Sequence, residues 1–430
     1  MGDSYSQVLE YLFQALPMFQ RQGAAAYKAN LDNTIQLLRA LDNPQHKFAS
    51  IHIAGTNGKG SSSHMIAAAF QEAGYKTGLY TSPHLTDFRE RIRINGQKIP
   101  KQKVVDFTLK NKELFGNIQP SFFEMTVAMA FEYFAEEKVD IAIVETGMGG
   151  RLDSTNIIQP LLCLITNIGY DHSAFLGNSL PEIAREKAGI IKKTTPVVLS
   201  ESNPETDPVF QEMASLMNAP LILAEKKVYV QALNEDYQNQ FTLYRLDSPN
   251  LSCQIKLPLM GKYQKKNLKG VVEALMQLRE NFPKLDARAI QNGLEKVKLL
   301  TGLKGRWEIL QNNPLCIADT GHNMNGMESI MEQIQSLNYQ TLFMVIGFVQ
   351  DKDVSSILPL LPKQAYYIFT QAKIQRAMEA ENLARLAEEF GLKGEVEPDV
   401  KKAFLLAKNM AENEDLIFVG GSTFVAAEVL

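Results

Sequence analysis

The sequence is short of cysteine, of tryptophan and of long apolar runs. Its three cysteines, Cys163, Cys253 and Cys316, stand far apart with no CxxC pair. That argues against a disulfide framework or a cysteine-based zinc site and for free thiols in a reducing compartment. No stretch approaches the ~20 apolar residues that span a bilayer. MGDSYSQVLEYLFQALPMF, residues 1–19, lacks a basic start followed by an apolar core, so it reads as an amphipathic helix and not a signal peptide. One-sided charge is also missing. Lys and Arg number 44 against 48 Asp and Glu, with no extended basic run and no acidic tail. The expectation is a cytoplasmic protein with no nucleic-acid and no membrane partner.

What is present is an ordinary globular composition over 430 residues, enough for two or three domains. Short apolar runs at 47–53, 77–81, 139–145, 161–166 and 196–199 read as strands. Helical patterns at 62–73, 122–137 and 180–191 follow several of them, which argues for a mostly parallel sheet covered on both faces. RIRINGQKIP, residues 91–100, alternates and then turns at Asn95-Gly96, a hairpin signal. Residues 226–256 read as short antiparallel strands, and 263–281 and 286–297 as helices. A second α/β unit begins near residue 300, with strands at 314–319, 341–347, 365–369 and 416–420. Its helices are expected at 325–337, 354–361, 380–390, 400–410 and 423–429. TGLKG, residues 301–305, is the candidate hinge.

Ligands of open parallel sheets bind at the carboxyl ends of the strands. The first strand runs into Gly55-Thr56-Asn57-Gly58-Lys59-Gly60-Ser61. Glycines between strand and helix let backbone N–H groups close around phosphate. Lys59 would neutralise β and γ phosphates and Ser61 would offer a hydroxyl to magnesium. Lys59 precedes Gly60, which departs from the usual P-loop register; a plain tight turn would explain the glycines but not the Lys and Ser. Glu145 ends an apolar strand, as a magnesium ligand or as a solvated strand end. His172 follows another strand and reads equally as an ordinary loop histidine. Lys187 shares a helical stripe with Ile183, Ile190 and Ile191. It either snorkels to water or is a desolvated amine of lowered pKa. Phe122-Phe123-Glu124 opens a helix as core plus a helix-start acid. Arg306 at the hinge is a phosphate ligand or a surface residue, and Trp307 packs the hinge.

Taken together, the strings HIAGTNGKGS (52–61), TSPHL (81–85), ERIRING (90–96), FFEMTVAMAF (122–131), ETGMGGRLDSTN (145–156), GYDH (169–172), EKAGIIK (186–192), GKYQKKN (261–267), KGRWE (304–308), DTGHN (319–323), GFVQDKD (347–353) and QRA (375–377) resemble the folylpolyglutamate synthase and dihydrofolate synthase family within the Mur ligase superfamily. Two departures stand out. Asp-Thr-Gly-His-Asn replaces the family's Asp-Gly-Ala-His-Asn, and Tyr263 stands where a His precedes the Gln.

The resemblance implies a two-domain α/β fold. An N-terminal P-loop ATPase-type parallel sheet with small antiparallel additions would occupy 1–298 and carry the folate site. A C-terminal Rossmann-like domain would occupy 299–430 and serve glutamate and nucleotide closure. It implies ATP bound by Thr56, Asn57, Gly58, Lys59, Gly60, Ser61, Asn267, Arg306, Asp319 and His322. It implies magnesium at two sites, with ligands among Ser61, Ser82, Glu145 and His172, and admits a potassium ion. Lys187 matches the family's carbamylated lysine. Lys59, Lys187, His172 and Arg306 would serve catalysis, and the pterin would lie near Ser121, Phe122, Phe123, Glu124 and Leu152. The implied reaction makes an acyl phosphate from ATP and a folate or dihydropteroate carboxylate, which the amine of L-glutamate attacks. The alternatives are a Mur-type ligase of peptidoglycan precursors, disfavoured by only 54 residues before Gly55, and a P-loop regulatory nucleotide-binding protein.

Overall fold

The structure, a computed structural model, describes residues 4–15 and 30–430. Residues 5–15 of the expected N-terminal helix are helical, as Tyr5–Ala15; the rest of that expectation lies outside the described residues, apart from Ser4.

The larger sheet has eight strands: β1 (Ala49–Ala54), β2 (Thr77–Tyr80), β3 (Ile92–Ile94), β4 (Gln97–Lys98), β5 (Ile141–Glu145), β6 (Leu162–Ile165), β7 (Val197–Leu199) and β8 (Leu221–Leu223). Their order is β4-β3-β2-β5-β1-β6-β7-β8. All neighbours from β2 to β8 run parallel, while β3 and β4 add an antiparallel edge. Strands covered on both faces need near-continuous apolar runs, and β5 (IAIVE) is buried throughout. The hairpin turn falls at Asn95 and Gly96, both at positive φ, as the Asn-Gly signal predicts. The chain leaves β1, passes over to β2 and returns through β5, which lies between them; β6 flanks β1 on its other side. The carboxyl ends of β5, β1 and β6 are therefore neighbours although they are distant in sequence.

Strands β9 (Tyr229–Asp236), β10 (Phe241–Ser248) and β11 (Leu251–Leu257) form a three-stranded sheet in the order β11-β10-β9. The last sheet holds β12 (Glu308–Asn312), β13 (Leu315–Ala318), β14 (Leu342–Ile346), β15 (Tyr366–Gln371), β16 (Gly394–Asp399) and β17 (Leu416–Gly420), in the order β12-β13-β17-β14-β15-β16. It is parallel except for the β12–β13 pair.

The chain divides into two compact units. The first comprises 1–231, 245–255 and 265–302; the second comprises 232–244, 256–264 and 303–430. The boundary thus falls between Gly302 and Leu303, not at 298/299, and the second unit also takes two earlier segments. Thr301 ends the helix Val297–Thr301, so only the later part of the expected 301–305 loop is irregular. Strands β12 and β16 escape the sequence reading because they are sheet edges. β16 reads GEVEPD and is largely exposed, with the charge and proline typical of edges. Helices Asp32–Ala40, Lys101–Lys110, Lys112–Ile118 and Asp207–Leu216 were not foreseen. The helix 180–191 is shorter than expected, Leu180–Ala188, yet Ile183, Ala184, Lys187 and Ala188 share its buried face.

Candidate active site

In the first unit the glycine loop leaves β1 and enters the helix Lys59–Glu72 directly. Gly55 has φ 150° and Gly58 has φ 83°, conformations that L side chains rarely adopt. Space excludes a side chain as well. A Cβ on Gly55 would lie 1.8 Å from Thr166 Oγ1, and one on Gly58 2.2 Å from Asn267 Oδ1. The segment after β6 braces the loop. Thr56 N donates to Asn167 O at 2.9 Å and Asn57 N to Asn167 Oδ1 at 2.8 Å. Thr56 Oγ1 pairs with Gly169 O at 3.0 Å, and Thr166 Oγ1 donates to Asn57 O at 2.6 Å. Lys59 Nζ folds over the loop, donating to Gly55 O at 2.9 Å and Thr56 O at 3.1 Å. Gly60 and the buried Ser61 occupy the first turn of the helix, where backbone N–H groups and the helix dipole favour an anion. Asn167 is a functional neighbour that the sequence reading missed; a lone Asn after an apolar strand gives no local signal.

Next to this loop stands Glu145, the last residue of β5, 4% exposed. Its Oε2 accepts from Ser82 N at 3.3 Å, so the structure brings these two candidates together. His172 sits at φ 53° at the start of the short helix Ser173–Leu176, with its Nε2 3.9 Å from Asp171 Oδ1. Lys187 is 3% exposed and donates to Gly55 O at 2.9 Å, which rules out snorkelling to water. One carbonyl thus receives both Lys187 and Lys59. Burial, then the neighbouring Lys59 charge, brings the Lys187 pKa down to about 7.

The loop after Glu145 is fixed from two sides. Asp153 Oδ2 accepts from Gly147 N at 2.8 Å and Met148 N at 2.9 Å. Arg151 N donates to Glu186 O at 2.7 Å, tying the loop to the Lys187 helix. Asp153 is wholly buried, and burial raises its pKa against the opposing hydrogen bonds. Among the described residues, no group of three or more His, Cys, Asp or Glu side chains is placed to hold a metal. The candidates Ser61, Ser82, Glu145 and His172 offer instead hydroxyls, one carboxylate and one imidazole, a mainly hard-oxygen chemistry, and of them the structure brings Ser82 and Glu145 together. That set fits magnesium, which keeps several waters and leans on substrate phosphates more than on a protein cage.

The five pterin candidates separate into two groups. Ser121 and Glu124 form a capping box on the helix Phe122–Glu136, with Ser121 N donating to Glu124 Oε2 at 2.6 Å. Phe122 is 3% exposed, 5.8 Å from Phe88 and with the Arg91 guanidinium 5.3 Å from its centroid. Capping and packing engage these three side chains. Phe123 and Leu152 are the partly exposed members. Phe123 lies against Gly147 so closely that a Cβ there would come within 2.5 Å of the ring.

In the second unit Asp319, just after β13, is 3% exposed and accepts three bonds. These come from Tyr263 Oη at 2.7 Å, Trp307 N at 2.7 Å and Gly321 N at 2.8 Å. Burial nevertheless raises its pKa. Tyr263 stands at one of the departures noted above, and here it orients this carboxylate. Arg306 donates through Nη1 to Gly305 O at 3.1 Å and to the Thr320 hydroxyl. His322 Nδ1 lies 2.9 Å from Thr320 O, an acceptor, so Nδ1 carries the proton. Asn323 caps the helix Met324–Gln335, accepting from Gly326 N at 2.9 Å. Trp307 does not pack a hinge; it lies in the second unit's core with Met260, Met327 and Phe348.

The chain matches two family models, the Mur ligase middle domain over residues 53–275 and the Mur ligase glutamate ligase domain over residues 305–423. The dihydrofolate synthase/folylpolyglutamate synthase of Bacillus subtilis is 33% identical over 93% of this chain and 94% of its own length. A bifunctional folylpolyglutamate synthase/dihydropteroate synthase of Haloferax volcanii is 31% identical over 99% of this chain, which spans only 50% of that protein. The solved structure of a bifunctional folylpolyglutamate synthase/dihydrofolate synthase from Yersinia pestis, complexed with AMPPNP and a Mn ion, superposes with a TM-score of 0.81 at 26% identity, covering 99% of this chain and 97% of that one. These matches run through the glycine loop, Glu145, Lys187 and Asp319 alike, and on them the chain belongs to the Mur ligase family, in its folylpolyglutamate synthase/dihydrofolate synthase branch.

Proposed function

We propose that the protein is an ATP-dependent ligase that joins L-glutamate to a folate carboxylate, extending tetrahydrofolate and also converting dihydropteroate. The observation that carries this reading is the convergence of the glycine loop, Lys59, Glu145 and the buried Lys187 at neighbouring strand ends. Neither the peptidoglycan-precursor reading nor the regulatory-switch reading finds support among the relatives.

In this reading the N–H groups of Gly58, Lys59, Gly60 and Ser61 receive the phosphates, and the Lys59 ammonium moves from its own loop carbonyls onto them. A folate carboxylate oxygen attacks the γ-phosphorus and ADP leaves. The glutamate amine then attacks the acyl carbon, loses a proton and expels phosphate. Lys59 and Arg306 offset the charge of the phosphoryl group in flight. Asn267, Asp319 and His322 are assigned to the nucleotide, and Phe123 with Leu152 to the pterin.

The residues that would hold magnesium are Ser61 and Glu145 at one site and Ser82, Glu145 and His172 at a second; a potassium ion completes the assignment. When bound, the metal supplies charge neutralisation at the phosphates. Lys187 fits the role of a carbamylated lysine. With a pKa of about 7, about half of its amine is neutral at pH 7, against about one part in 3,000 at the ordinary value of 10.5. The enzyme is assigned to the cytoplasm as a monomer acting on small molecules; among the described residues no helix is long and apolar enough to cross a membrane.

The test is ADP release and product mass with ATP, magnesium, L-glutamate and either tetrahydrofolate or dihydropteroate. One glutamyl unit should be added per ADP formed, and Lys59→Ala and Glu145→Ala should abolish both signals without lowering the thermal transition. ADP release that ignores glutamate and folate would return the protein to the class of nucleotide switches.

A further inference from the structure

A polar chain runs through the interior of the first unit behind the site, and it starts at His52. This residue lies in the middle of β1, opposite Val144 in β5 and Cys163 in β6, and is 0% exposed. Its Nε2 is 2.9 Å from Thr155 Oγ1. Thr155 in turn donates both its hydroxyl, at 2.5 Å, and its N–H, at 3.0 Å, to Asp153 Oδ1. Asp153 Oδ2 takes the N–H groups of Gly147 and Met148.

The directions of these bonds follow from the groups involved. A buried Asp153 carboxylate that receives three backbone N–H groups acts as an acceptor, so the Thr155 proton points to it. The Thr155 oxygen is then left to accept, and His52 must donate from Nε2. His52 Nδ1 is buried and has no hydrogen-bond partner among the described residues. Burial holds the imidazole neutral, with its pKa near 3. A buried imidazole with one orphaned nitrogen is a burden that an apolar strand residue would avoid, since a buried acceptor without a partner destabilises the fold. All four acceptor positions of Asp153 are occupied by the chain itself, so this carboxylate acts on the loop.

The loop it holds joins two assigned groups. Glu145, the last residue of β5, leads directly into it, and Gly147 abuts the Phe123 ring. A shift of the Gly147–Met148 peptide would therefore move the carboxylate and the aromatic surface relative to each other.

We propose that His52 is a positioning residue: through Thr155 and Asp153 it sets the Gly147–Met148 peptide and with it the spacing between Glu145 and Phe123 on which ligation depends. This rests on the ligase reading above. The chain acts on the loop that follows Glu145 and not on that carboxylate directly; outer-shell bonds around such a site typically change activity by roughly 10–100-fold.

Four single variants and one double variant test it. His52→Phe keeps a flat ring and removes the donor; Thr155→Val keeps the shape and removes the hydroxyl. His52→Gln places an N–H at the reach of Nε2, whereas His52→Asn ends at the reach of Nδ1. The expected result is a kcat lowered by roughly 10–100-fold in the Phe, Asn and Val variants, with the KM for ATP little changed. The Gln variant should recover most of the loss, and the Phe/Val double variant should be no worse than either single change. A merely structural histidine would give equal losses for Gln and Asn that follow the thermal transition, and additive Phe and Val effects; either outcome overturns the proposal. Nitrogen-15 spectra of the six histidines, with the His52 signal identified by its loss in His52→Gln, read the tautomer without any substrate. An Nδ1–H tautomer refutes the relay even if ligation is confirmed. An Nε2–H tautomer in a protein that adds no glutamate means that the ligase reading has failed while the relay geometry stands.

Discussion

Lys187→Met should remove a pH dependence from the stability of the protein. The Lys187 ammonium is buried, and its pKa falls from 10.5 to about 7. Between those two values the unfolded chain holds a proton that the native chain has released, so stability rises with pH across this window. Below pH 7 both states are protonated and the full penalty of burying the charge is present; above 10.5 it is gone. Each pKa unit corresponds to about 1.4 kcal/mol. Integrating from pH 7 to pH 9 gives the wild type a gain of about 2 kcal/mol that the Met variant lacks. Met is unbranched and of similar length, so it can fill the same channel. The variant should therefore be the more stable protein at pH 7, with the gap narrowing by about 2 kcal/mol at pH 9. Denaturant titrations of both proteins at the two pH values, in bicarbonate-free buffer, measure this directly. A gap that does not change with pH would refute a buried, easily deprotonated Lys187. The same variant should be almost inactive, and Lys187→Ala should regain part of its activity with acetate, as the proposed carbamate on Lys187 requires.

Gly58→Ala should cost at least tenfold in activity, since its Cβ would meet Asn267 Oδ1 at 2.2 Å on a backbone of positive φ; wild-type ATP turnover would show that the loop can move aside. Phe123→Leu should raise the KM for folate more than that for ATP, and Asp319→Asn should do the reverse. Equal effects on both substrates in properly folded proteins would dissolve that assignment. Tyr263→Phe leaves Asp319 with two of its three donors, and should raise the KM for ATP several-fold with kcat near normal; an unchanged KM would make the tyrosine a packing residue.

Much of the site was legible because its signals are local. A glycine loop between strand and helix declares itself, and so does Lys187, a charge on an apolar stripe and hence a contradiction within one helix turn. The parallel sheet was legible from runs such as IAIVE, which only a doubly covered strand tolerates. What could not be read were roles assigned by distant partners. Asn167 matters because the loop after β6 happens to lie against Thr56 and Asn57, and Asp153 because it reaches back to Gly147 and Met148. Ser121, Phe122 and Glu124 lie in a family-like string, yet capping and aromatic packing engage them. Edge strand β16 was invisible because an edge selects charge and proline where a central strand selects Val and Ile, and β12 (EILQN) because three of its five residues are polar or charged.

The division of the chain also bears on how portable its glutamate-ligase half is. The second unit's core contains Met260 beside Trp307, and Asp319 is held by Tyr263, although both Met260 and Tyr263 precede residue 303. A fragment beginning at Leu303 would lack a core side chain and leave a buried carboxylate one donor short. Exchanging this half between family members at the apparent sequence boundary would produce the same defect, a mismatched core on one side and an orphaned acid on the other. A chimera that keeps residues 232–244 and 256–264 with their own C-terminal half transfers the unit whole, and the first unit of the recipient must then accept two foreign segments in the middle of its chain.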